Sequence, residues 1–275
     1  MAPASGADLP PFLSSTAPDG TAIALHLAGD GPPVLLVHGA AADARQWARV
    51  VPLLAATHTV ATMDRRGRGG SGPLRPDHSL ATEYGDVAAA AATLAAAGGR
   101  VAVVGHSSGA RFALHAALQA PDLAALVLYE PPPPEHLPRP VLDDLAALEA
   151  AGDREGILRT FLLEAAGNDE AALAELRARP IWPIMLDNAL TLPAELRAVA
   201  PYRFDRSAVA DLAVPTLCLL GEESGPELRR VTEEIVAALP DASLLVLAGQ
   251  GHGAMMSAPA LFVAEVRRFL DVHPG

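Results

Sequence analysis

A chain of 275 residues in which 51% are hydrophobic can build one large α/β domain, or a core carrying an inserted subdomain. Its formal net charge of −12 argues against a nucleic-acid partner and against docking on anionic membranes. No apolar run is long enough to span a bilayer, and one cysteine, Cys218, allows no internal disulfide. Met1–Pro11 lacks the basic-then-apolar pattern of a signal peptide, so a cytoplasmic location is expected. Every basic residue is an arginine and none a lysine, which reads as composition bias alongside the abundant Ala, Gly and Pro.

In chain order, short apolar strand candidates fall at Ala22–Ala28, Pro33–Val37, Val60–Met63, Val101–Val104, Ala125–Tyr129, Thr216–Leu220 and Leu244–Leu247. Between them, helical patterns run over Ala44–Ala55, Ala81–Ala97, Ser108–Gln119, Pro226–Leu239 and Ala258–Leu270. This alternation predicts a mostly parallel sheet covered by helices on both faces. It breaks once. After Glu130 comes a stiff proline-rich segment, Pro131–Pro140, then helical stretches near Val141–Ala151, Arg154–Ala166, Glu170–Arg179 and Ile181–Ala200. Strand character returns only near Pro215. An all-helical insertion between two strands reads as a cap over the carboxyl edge of the sheet, where open α/β sheets bind ligands. The expected division is a core at 1–130, a helical cap at 131–210, and the rest of the core at 211–275.

The most informative stretch is Gly105-His106-Ser107-Ser108-Gly109, fed by the run Val101–Val104 and followed by an alanine-rich helix. A G-x-S-x-G pentapeptide between strand and helix places its serine on a sharp turn, with the hydroxyl beside a helix N-terminus. Ser107 is therefore the candidate nucleophile, and the backbone N–H of Ser108 a candidate donor to an oxyanion. A serine hydroxyl needs a base. Of nine histidines, His252 is favoured, because Gly249–Gly253 follows the last strand and precedes the last helix. His106 is expected to face the packing beside the elbow and His38 to brace a loop. His58, His78, His115, His136 and His273 have no evident partner. The imidazole in turn needs a carboxylate, and two places offer one: Glu130 at the end of a strand, or Glu222 and Glu223 in the turn after the strand holding Cys218.

Taken in order, Val37-His38-Gly39-Ala40, Asp64-Arg65-Arg66-Gly67-Arg68-Gly69-Gly70-Ser71, the Ser107 pentapeptide and Gly251-His252 resemble the α/β-hydrolase family over nearly the whole chain. The resemblance implies a doubly covered, mainly parallel sheet and a Ser/His/acid hydrolase. Family members commonly carry the acid in a G-x-x-D turn after the penultimate strand, where this chain has Ser224. A subset instead places a glutamate after the strand following the elbow helix. The Tyr129-Glu130-Pro131-Pro132 stretch resembles that subset, and more distantly the zearalenone-type lactonases, which implies Glu130 as the acid with Glu223 or Glu222 as alternatives. The same resemblance implies the Ala40 backbone N–H as the second oxyanion donor. It also implies that the arginine-rich loop is structural, held by Asp64 and Ser71.

No phosphate loop, dinucleotide fingerprint or metal-spaced cluster is visible, so neither a cofactor nor a metal is expected. Trp182 and Met185 in the cap, and Trp47 after the Ala40 loop, are candidates to contact substrate, with burial in the core as the plainer alternative. The expected partner is a small, mainly apolar ester or lactone, and a homodimer stays open. Carbon–carbon bond hydrolysis with the same triad, or a binding protein of the same fold, are the competing functions.

Overall fold

The computed structural model describes residues 12–120, 122–134 and 137–273, and its strands form a single eight-stranded sheet. The expectations for Met1–Pro11 and His136 lie outside the described residues. The strands are β1 (Phe12–Thr16), β2 (Ala22–Ala28), β3 (Pro33–Val37), β4 (Thr59–Met63), β5 (Ala102–His106), β6 (Ala125–Tyr129), β7 (Thr216–Gly221) and β8 (Ala242–Leu247). Their order across the sheet is β1-β2-β4-β3-β5-β6-β7-β8. The β1–β2 and β2–β4 pairs are antiparallel and every other pair is parallel.

Period-two alternation sorts each central strand onto two faces. Leu35, Val37, Val103, Leu126, Leu128 and Cys218 join one buried cluster with Phe112, Val231 and Ile235. The intervening Val34, Leu36, Val104, Val127, Tyr129 and Leu219 join the other, with Trp47, Phe262 and Val266. Burial of each such Val, Leu or Phe is worth about 1.5–3 kcal/mol. The first face is covered by α2 (Leu80–Gly98), α3 (Ser108–Ala117) and α10 (Pro226–Ala238), the second by α1 (Val51–Leu54) and α12 (Pro259–Leu270).

Three local expectations change. The helix expected over Ala44–Ala55 is a 3₁₀ turn at Ala44–Trp47 followed by the single turn of α1, where Pro52 has no N–H to continue an earlier helix. β1, a polar Phe-Leu-Ser-Ser-Thr edge, carried no apolar run to announce it. Trp47 is core: it is fully buried against Val50, Leu54 and Phe262, because the 3₁₀ turn rotates it onto the sheet and not toward a ligand space.

Among the described residues, the regular elements between β6 and β7 are all helical: α4 (Arg139–Ala151), α5 (Arg154–Thr160), α6 (Glu170–Arg177), α7 (Trp182–Asn188), α8 (Leu192–Val199) and α9 (Arg206–Val209). The stretch expected as one helix over Ile181–Ala200 is reset twice, with Pro183 and Pro193 each in the first turn of a new helix. These helices share an apolar cluster of their own, built from Leu145, Ile157, Leu158, Leu173, Trp182, Leu192 and Leu196. Among the described residues, no helix is long and apolar enough to cross a membrane.

Candidate active site

The carboxyl ends of β5, β6 and β8 bring the expected residues to one edge of the sheet. β5 ends at His106, and Ser107 turns the chain into α3 at φ 54°, ψ −124°. A non-glycine residue there is strained by roughly 1–3 kcal/mol and persists only when its surroundings fix it. The surroundings are tight. A Cβ on Gly105 would stand 2.5 Å from the Gly109 carbonyl oxygen, and one on Gly109 would stand 2.4 Å from that of Val37. The Ser107 N–H is also held by the Tyr129 carbonyl at 2.9 Å. Ser108 opens α3, so its N–H has no intrahelical acceptor.

His252 lies between β8 and the short helix α11 (Ala254–Ser257). Its Nδ1 is 2.5 Å from Oε2 of Glu130, whose carboxylate is fully buried, while the His252 side chain is 43% exposed. The other carboxylate oxygen accepts the Gly221 N–H at 2.6 Å. Glu130 itself adopts φ 48°, a second strained residue, which swings its carboxylate off the end of β6 toward the histidine loop. A carboxylate at Nδ1 keeps the proton there and leaves Nε2 as the basic nitrogen. Among the described residues, no hydrogen bond yet joins that imidazole to the Ser107 hydroxyl, a contact that resting sites often leave loose.

The alternative acids do not approach. Glu223 is exposed, and Glu222, also exposed, accepts the Gly249 N–H at 2.8 Å instead. Ser224 is only half-buried, with no carboxylate to offer.

Residues missed in the sequence hold the parts together. The Tyr129 hydroxyl donates to the Gly251 carbonyl and accepts the Ala254 N–H at 3.2 Å, so it clamps both sides of His252. His106 donates from Nε2 to the His252 carbonyl at 2.9 Å, and its Nδ1 accepts from the Gln46 amide at 3.2 Å. Burial, helped by nearby His252, pushes the His106 pKa well below the usual histidine range, so the ring stays neutral in that role. Gln46 also accepts the Gly39 N–H at 3.4 Å. No local pattern signals these residues, because their partners are distant in the chain.

The loop bearing Ala40 is braced from beneath. His38 donates from Nδ1 to the Gly39 carbonyl at 2.8 Å and accepts the Arg65 N–H at Nε2. Burial and the neighbouring Arg65 and Arg68 cations hold its pKa well below the ordinary value, which keeps it neutral. Asp64 accepts from Ala44, Gly70 and the His26 ring, and Ser71 bridges the Asp64 carbonyl and the Ala24 N–H, so this loop is structural as expected. Trp182 and Met185 are each 8% exposed, in the cluster that also holds Ala41, with Ala40 and Met256 packed on it. Cys218 is fully buried, and burial pushes its thiol up to about 12, far from a nucleophile's range.

Known proteins share this arrangement of elements. The structure of an α/β hydrolase from Sphaerobacter thermophilus DSM 20745 matches with a TM-score of 0.84 at 32% identity, over 94% of this chain and 100% of that one. A thermophilic esterase from Thermogutta terrifontis matches with a TM-score of 0.76 at 23% identity, over 96% and 100%, a likeness of fold. A pimeloyl-(acyl-carrier protein) methyl ester esterase of Xylella fastidiosa (strain M23) is 26% identical over 261 residues, 91% of this chain and 99% of its own. The model of the alpha/beta hydrolase family matches residues 34–266, and with this sheet order and elbow the chain belongs to the alpha/beta hydrolase family.

Proposed function

We propose that the protein is a serine hydrolase that cleaves carboxylic esters or lactones of small, mainly apolar substrates. The observation that carries this reading is the 2.5 Å contact between His252 Nδ1 and a buried Glu130 carboxylate, at the edge where Ser107 is held in its strained turn. His252 Nε2 takes the Ser107 proton as Oγ attacks the ester carbonyl. The carbonyl oxygen, now an anion, is received by the N–H groups of Ser108 and Ala40, each such donor contributing about 2.7–4 kcal/mol in comparable sites. His252 then hands its proton to the leaving alkoxide, leaving an acyl-enzyme on Ser107. Water, deprotonated by the same nitrogen, attacks the acyl carbon and releases the acid. Glu130 stabilises the imidazolium formed in both halves.

The helices between β6 and β7 serve in this reading as a cap. Trp182 and Met185, clustered with Ala40, Ala41 and Met256, supply an apolar wall for the acyl or alcohol group. Esterase relatives among the matched proteins support the reaction class.

Hydrolysis of short-chain p-nitrophenyl esters tests the reading. Ser107→Ala is expected to fall to the uncatalysed background. Glu130→Gln is expected to lose on the order of 10³–10⁴-fold in kcat, because an amide at Nδ1 permits the wrong tautomer. Glu223→Gln should match the wild type. A collapse of Glu223→Gln with Glu130→Gln intact would move the acid to the β7 turn. Inert wild type that also resists a fluorophosphonate would point to a binding protein.

A further inference from the structure

The arginine loop does more than close on itself. The Arg65 guanidinium, wholly buried, donates from Nη1 to the Gly39 carbonyl at 3.2 Å. That carbonyl belongs to the same peptide unit as the Ala40 N–H. The peptide is trans and planar, so fixing the direction of the C=O fixes the opposite direction for the N–H. His38 donates to the same oxygen, so two donors hold it. Only one of them is a cation.

Arg65 is itself held on every side. Its Nε and Nη2 form a bidentate pair with Glu83 of α2 at 3.0 and 2.8 Å. Nη2 also lies 3.1 Å from the Glu195 carboxylate of α8, and the guanidinium carbon stands 4.4 Å over the Phe112 ring. Glu195 in turn takes Arg68 at 2.5 Å. A continuous path of charged contacts therefore runs from the helices between β6 and β7 to the back of the Gly39–Ala40 peptide. A fixed cation on a peptide oxygen also polarises the unit and strengthens its N–H as a donor.

We propose that Arg65 is a positioning residue for the oxyanion site. Oriented by Glu83 and Glu195, it aims and polarises the Ala40 N–H that receives the substrate oxygen. This assignment rests on the serine-hydrolase reading. It makes the cap helix α8 a determinant of transition-state binding, acting through Arg65 without touching substrate.

Arg65→Met and Glu195→Gln test it, with active serines counted by fluorophosphonate titration so that misfolded protein is left out. Two quantities are then measured: kcat per titrated serine for p-nitrophenyl butyrate, and the inhibition constant of butylboronic acid. The boronate forms a tetrahedral anion on the serine and so reports the oxyanion site directly. Arg65→Met is expected to lose about 10–100-fold in kcat, less than outright deletion of a donor costs. Glu195→Gln, which keeps shape and volume, is expected to lose about 3–10-fold, a smaller share of the same effect. KM should stay within about twofold, and boronate affinity should weaken by the same factor as kcat. A merely structural role would lower the count of active serines and leave both quantities per serine at wild-type values, and that result overturns the assignment. A wild type that neither turns over esters nor is labelled removes the hydrolase reading, and this assignment with it.

Discussion

Tyr129 shows how much of this site depends on groups that touch no substrate. Its hydroxyl is the sole link between the end of β6 and both flanks of His252 among the hydrogen bonds of the described residues, and burial raises its pKa beyond the working range, so it stays a donor. Tyr129→Phe leaves one carbonyl and one N–H without a partner, which should cost about 1–3 kcal/mol of stability. Denaturant unfolding measures that loss, and kcat should fall with it as His252 loosens against Glu130. An unchanged unfolding midpoint would mean that water takes over both bonds. At this scale the sequence was partly legible. Ser107 announces itself because its glycines, strand and helix are contiguous. Glu130 was one of two options on residues alone, since which strand end faces His252 depends on sheet order. Gln46 and His106 could not be paired, because 60 positions separate them and no periodicity carries such a contact.

Elements were more legible than their breaks. β3 and β6 fall where the apolar runs place them, since fully buried parallel strands need unbroken apolar stretches, and β2, antiparallel to both neighbours, follows its own run although its ends reach the surface. The misses have local causes: Pro52, Pro183 and Pro193 each restart a helix, and β1 is an edge strand that needs little apolar surface. The two tryptophans illustrate the difference between propensity and placement. Trp47 sits on a 3₁₀ turn against the sheet, whereas Trp182 opens α7 in the helical cluster beside Ala41. Trp47→Ala should destabilise by about 3–5 kcal/mol in equilibrium unfolding, with kcat per active serine unchanged. Trp182→Ala should instead raise KM for longer acyl chains, with a smaller change in stability. Reversed outcomes would exchange their roles.

The molecule as a whole is asymmetric toward pH. Burial holds His38, His106, His58 and His78 below the ordinary histidine value, and burial, with nearby Arg111, lowers His115 to about 4. At these sites the unfolded chain, with histidines near 6.5, binds more protons in mildly acid solution, so what they contribute to stability falls as pH drops below that value, opposed by Asp86, which burial raises to about 6. His115 alone contributes on the order of 2–3 kcal/mol, lost progressively between pH 6.5 and 4. His115→Phe retains the stacking position beside Tyr84 but cannot titrate, so its thermal midpoint should fall less steeply from pH 7.5 to 5.0. Parallel slopes for variant and wild type would assign the acid sensitivity elsewhere.

The alkaline side is different, because guanidinium cations pair with the buried carboxylates Glu83, Asp86 and Glu195. Arg65 and Arg66, each raised above the ordinary arginine value, keep their partners Glu83 and Asp86 paired where an ammonium would already have lost its proton. Ester cleavage near neutrality liberates an acid at every turnover. In weak buffer such an enzyme drifts toward the pH range in which its buried histidines work against the fold, while a base-fed reactor would hold it above that range. Operational lifetime should thus lengthen as product acid is neutralised more quickly.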